Sequence, residues 1–113
     1  MLDQQQMSIG QQIANNVAQQ IDGIYGSHMN ELQFALQLAN YDNWRGILDE
    51  MMANADVSVT NFTNEAKDHF GNMVDQSQVL EVRSAVSEVH DQSRERAHAY
   101  VERIVKIVED IRG

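Results

Sequence analysis

Cysteine and proline are both absent from this 113-residue chain, and glycine occurs only six times. Without cysteine there are no disulfides, no thiolate nucleophile and no cysteine metal site. Without proline nothing in the covalent chain forbids long, uninterrupted helices. Positive charge is also scarce. Eight Lys and Arg stand against 17 Asp and Glu, a net charge of −9. That balance argues against a nucleic-acid partner, because phosphate contacts need a basic patch. No apolar run approaches the roughly 18 residues that a membrane span needs. The N-terminus has neither a basic n-region nor an apolar h-region, so it does not read as a signal peptide. The chain reads as soluble, with the compartment open and the cytoplasm favoured over secretion.

What is present is apolar periodicity. In residues 1–25, rich in glutamine, Ile9, Ile13, Val17, Ile21 and Ile24 recur at steps of four, four, four and three. They line one helical stripe against a polar face of Gln, Asn and Ser. Alone, such a segment is too weakly driven to stay helical in water, so its stripe needs a groove.

A second stripe, Phe34, Leu38, Tyr41, Trp44, Leu48, Met51 and Ala55, predicts a continuous helix over residues 30–55, capped by Asn30. Residues 54–60, with Asp56, Ser58 and Thr60 as cap candidates, read as a loop. Helix is expected again over 60–112. Its stripe begins with Phe62, Ala66, Phe70 and Met73 and continues through Val79, Val82, Val86 and Val89 to Tyr100, Ile104, Ile107 and Ile111. Continuity is favoured through much of 60–111, with Gly71-Asn72 and residues 75–77 as the places for a break. At Ser93 and Arg96 the seam turns polar. No segment alternates with a period of two. The expected fold is all-α: a bundle of three or four antiparallel helices, the last one long.

Gly26-Ser27-His28-Met29 is the tetrapeptide a common cloning site leaves behind a removable tag, and here it lies inside the chain. It divides the sequence into an amphipathic helix, 1–25, a cloning-derived linker, 26–29, and a helical domain, 30–113. Tethering a helical peptide to the protein that binds it raises its effective concentration to about the millimolar range. Read instead as a natural turn, the same stretch predicts an antiparallel helix–turn–helix.

Trp44-Arg45-Gly46, after Asn43, resembles the Trp-x-Gly element of the WXG100 family of small secreted helical-hairpin proteins. The resemblance implies a bend at Trp44–Gly46 between two long helices, and a link to a secretion system. The family's Tyr-x-x-x-Asp/Glu tail signal has no counterpart, since Ile104 follows Tyr100 at the acidic position. The apolar stripe running through Trp44 and Leu48 points instead to unbroken helix.

Glu95, His98 and Glu102 share one helical face, but a di-iron bundle needs two such motifs and further carboxylates. Arg96 and Arg103 beside them oppose a cation, so surface ion pairing is the expectation. No glycine-rich phosphate loop and no nucleophile elbow occurs. No cofactor, metal or catalytic residue is implied. The expected function is protein–protein interaction: an adaptor or chaperone-like domain that packs an amphipathic client helix, here tethered as 1–25. The expected partner-binding residues are Ile9, Ile13, Val17, Ile21 and Ile24 on the client side. On the receiving side they are Phe34, Leu38, Tyr41, Trp44, Leu48, Met51, Phe62, Phe70 and Met73. A homodimer through Tyr100, Ile104, Ile107 and Ile111 is a further expectation.

Overall fold

The structure, a computed structural model, describes residues 8–26 and 30–113. These residues are almost entirely helical, with no strand among them. Helix α1 spans Ile9–Tyr25, α2 Glu31–Leu38, α3 Trp44–Met73 and α4 Val79–Arg112, with a 3-10 turn at Gln76–Gln78 before α4. The all-α bundle with a long last helix is what the periodicity predicts.

Contacts along α4 define the topology. Gly10 lies beside Glu81, Asp22 meets Arg96, Glu31 meets Arg103, and Arg112 reaches Ala39 and Tyr41. Helices α1 and α2 therefore follow one another in the same direction as α4. Helix α3 runs opposite, with Asp68 near Arg83 and Asp56 near His98. The bundle is up–down–up, its first arm broken between residues 25 and 31. The antiparallel hairpin expected at Gly26-Ser27 is thus corrected: α1 and α2, the helices on either side, run in the same direction. Of the linker tetrapeptide, residues 27–29 lie outside the described residues. The longest dimension, 56 Å, is close to the ~51 Å of a 34-residue helix.

Local chemistry accounts for the helix ends. Ser8 caps α1: its Oγ accepts the Gln11 N–H at 3.1 Å, and Gln11 Oε1 accepts the Ser8 N–H in return. Gly26 ends α1 in the left-handed region, φ 69°, and its N–H donates to the Asp22 carbonyl. Asn30 caps α2 as expected, Oδ1 accepting the Gln33 N–H at 3.0 Å.

Three boundaries differ from the sequence reading. The helix expected over 30–55 is interrupted at 39–43, where the chain reverses. Arg112 supplies the reason: it donates to the carbonyls of Ala39 at 2.7 Å and Tyr41 at 3.3 Å, and to Asp42 at 2.9 Å. A cation therefore caps the Ala39 carbonyl at the end of α2 and adds a second donor to the Tyr41 carbonyl, which also accepts the Trp44 N–H. Trp44 begins α3 and is partly buried rather than sitting deep in a helix. Residues 54–60, expected as a loop, are helix inside α3, because Val59 is fully buried and anchors that turn in the core. Continuity over 60–111 fails at Val74 and Asp75, both extended, at the second of the two expected break places, 75–77.

Two apolar cores result. The first joins Ile13, Val17 and Ile21 of α1 to Val59 and Ala66 of α3 and to Val82 and Val86 of α4. The second joins Ala35 and Leu38 of α2 to Leu48 of α3 and to Tyr100, Ile104, Val105 and Val108 of α4. Tyr100 and Ile104, expected in a dimer seam, are covered within the chain. Ile107 packs beside them, and Ile111 is exposed.

Candidate functional site

The groove between α3 and α4 is where the isoleucine stripe of α1 sits. Val17 and Ile21 are 0 % exposed and Ile13 is 8 % exposed. Ile9, Phe62, Phe70 and Val89 flank them. At roughly 1.5–3 kcal/mol per fully buried aliphatic side chain, this stripe is the dominant favourable term holding α1. Thr63, buried at the same interface, turns its hydroxyl back to the Val59 carbonyl at 2.7 Å, so no polar group is stranded.

The expected partner-binding residues divide between the cores instead of forming one face. Ile9, Ile13, Val17, Ile21, Phe62 and Phe70 belong to the first core; Phe34, Leu38, Trp44 and Leu48 belong to the second. Ile24, Tyr41, Met51 and Met73 are exposed. Tyr41 lies in the chain reversal and Met73 ends α3. Ile24 and Met51 line an apolar cleft of about 210 Å³ with Tyr25, Phe34, Leu48 and Tyr100, at the level where the first arm breaks.

A polar layer crosses the bundle near that cleft. The Tyr25 hydroxyl donates to Asp56 Oδ1 at 2.8 Å, linking α1 to α3. His98 Nε2 lies 3.3 Å from the same carboxylate, and Arg94 Nε lies 4.0 Å away. Arg96 donates to both Asp22 oxygens, at 3.1 and 3.3 Å, and to the buried Ser93 Oγ at 3.0 Å. Burial, reinforced by the hydrogen bond to Asp56, pushes the Tyr25 phenol well above its ordinary 10.0. Burial, then the charge of Glu31, raises the Tyr100 phenol as well.

The polar turn in the seam at Ser93 and Arg96 is thus a cross-helix contact layer. The sequence reading took Asp56 only as a helix-cap candidate and gave no role to Asp22 or Gly10. One signal was available: Asp22 is the sole charged side chain in residues 8–26. Asp56 carried no such signal, because its partners lie 31 and 42 positions away.

His98 turns toward Asp56, not toward Glu95 and Glu102, which are exposed. Among the described residues, no group of three or more His, Asp or Glu is arranged to hold a metal ion. No described helix is long and apolar enough to cross a membrane. No family model, no curated protein and no solved structure matches the chain.

Proposed function

We propose that residues 30–113 are a non-enzymatic protein–protein interaction domain of the adaptor or chaperone type, which packs an amphipathic client helix, and that 1–25 is such a helix held by the 26–29 linker. The observation that carries this reading is the seating of Ile13, Val17 and Ile21 between α3 and α4. A helix with one charged residue in its described length contributes chiefly apolar surface, with Asp22 and Tyr25 as its polar contacts to α4 and α3. It adds to a two-helix arm that already has its own second core with α2. Tethering suits a pair of moderate affinity, since burial of the stripe is opposed by about 1–2 kcal/mol of backbone ordering per residue.

The test is to cut the chain within the linker and follow 1–25 by gel filtration. Under this reading the two pieces co-elute at high concentration, and Val17→Asp separates them. If the cut pieces separate while 30–113 keeps its helicity and melting temperature, the reading fails.

A second reading, a WXG100-like secreted hairpin, is favoured by one observation. The chain reverses at 39–43, immediately before Trp44-Arg45-Gly46. Export into culture medium in a host with the matching secretion system is the outcome that reading requires.

A further inference from the structure

An apolar stripe repeating every fourth residue does not fix its own register. Ile9, Ile13, Val17 and Ile21 are nearly interchangeable. Sliding α1 by four residues, about 6 Å at 1.5 Å per residue, puts another isoleucine or valine at three of the four places. The receiving ladder of Val82, Val86 and Val89 on α4 has nearly the same spacing. Burial alone therefore separates neighbouring registers weakly, and specificity must come from contacts that only one register makes.

Three contacts meet that condition. A Cβ at Gly10 would stand 2.9 Å from Glu81 Cγ. A slip that brings Ala14 to that place puts a Cβ there and forces the exposed Glu81 side chain to swing aside. Asp22 is held by Arg96 at 3.1 Å, and Arg96 is itself fixed by buried Ser93. Tyr25 donates to Asp56 at 2.8 Å. The opposite slip sets Ala18 at Asp22's place and Ile21 at Tyr25's. Arg96 then loses this carboxylate contact, a small loss for an exposed pair, and Asp56 loses its phenol donor, at the cost that accompanies a partly buried polar group.

We propose that the groove reads its client by these three marks. The partner class is an amphipathic helix of low charge carrying Gly-x11-Asp-x-x-Tyr beside an every-fourth-residue Ile/Val stripe, bound parallel to α4. The identity of the partner rests on the client-helix reading above; the marks themselves are testable in the intact chain.

Because the chain lacks cysteine, two introduced cysteines, Gln19→Cys on α1 and Glu109→Cys on α4, take nitroxide labels without competition. Both positions are exposed, and they are offset along the bundle. Electron–electron distance measurement should give one narrow distance in the otherwise unaltered chain. Adding Asp22→Asn with Tyr25→Phe should give a second population displaced by about 6 Å, one helical turn. The swap Asp22→Arg with Arg96→Asp, Tyr25 retained, should return a single distance. Helicity by circular dichroism confirms that each variant is folded. A single unchanged distance in the Asp22→Asn/Tyr25→Phe variant overturns the proposal and leaves docking of 1–25 untouched. Separation of the cut pieces, by contrast, overturns the client reading and leaves this distance as it is.

Discussion

The Tyr25 hydroxyl and the Asp56 carboxylate, 2.8 Å apart, tie the last turn of the first helix to the middle of the third. The bond holds only while the phenol keeps its proton. Burial and Asp56 raise the folded-state value above the ordinary 10.0. In the unfolded chain the phenol ionises near that ordinary value, while the folded chain still binds the proton. Stability from this group is therefore complete below about pH 10 and is lost as pH rises through the folded value. Melting temperature should fall more steeply above pH 10 in the parent chain than in Tyr25→Phe. Parallel slopes in the two proteins would show that the contact does not persist in solution.

Ile21 is fully buried among α1, α3 and α4. Ile21→Ala should cost about 2–5 kcal/mol in chemical denaturation. Ile24→Ala, three residues on and exposed, should cost under about 1 kcal/mol, within the range of ordinary surface changes. Equal losses at the two positions would mean that α1 is not seated as described.

Glycines at two helical positions should respond in opposite ways. Gly46 lies in the first turn of α3, and a methyl group added there would meet nothing within 4 Å. Gly46→Ala should stabilise by about 0.5–1 kcal/mol through the lower entropy of the unfolded chain. Gly10→Leu should destabilise, because Gly10 is buried in the helix and a leucine there must displace the Glu81 side chain and open the packing around it. A stabilising Gly10→Leu would remove the close approach of α1 to α4.

Arg112 holds three groups at the end of α2. Arg112→Ala should open the 39–43 reversal, seen as faster amide hydrogen exchange at residues 38–44, while exchange in α1 is unchanged. Uniform acceleration throughout the chain would point instead to global destabilisation.

These contacts explain which parts of the fold were legible in the sequence. The stripe of α1 and the valines of α4 follow a helical period, and each residue's burial can be read from its neighbours three and four positions away. The reversal at 39–43 could not be read that way. Leu38, Tyr41 and Trp44 continue the period straight through it, and the residue that stabilises the break lies 73 positions from Ala39. Asn40, Asp42 and Asn43 are turn-forming types, a local signal that the reading of the stripe passed over. Residues 54–60 misled in the opposite sense. Their cap-forming and β-branched side chains suggest a loop, but burial of Val59 and Thr63 overrides that preference. At the site, the apolar half was visible because it is periodic. The polar half was not, because Tyr25, Asp56 and His98 meet only through the tertiary fold.

Whether 1–25 is a client separable from 30–113 is read by titrating fluorophore-labelled 1–25 into purified 30–113. Saturable binding in the micromolar range is expected, with a rise in the melting temperature of 30–113 on binding and loss of both with Val17→Asp peptide. A stable, monomeric 30–113 with unchanged melting and no binding at high micromolar peptide would contradict the client reading.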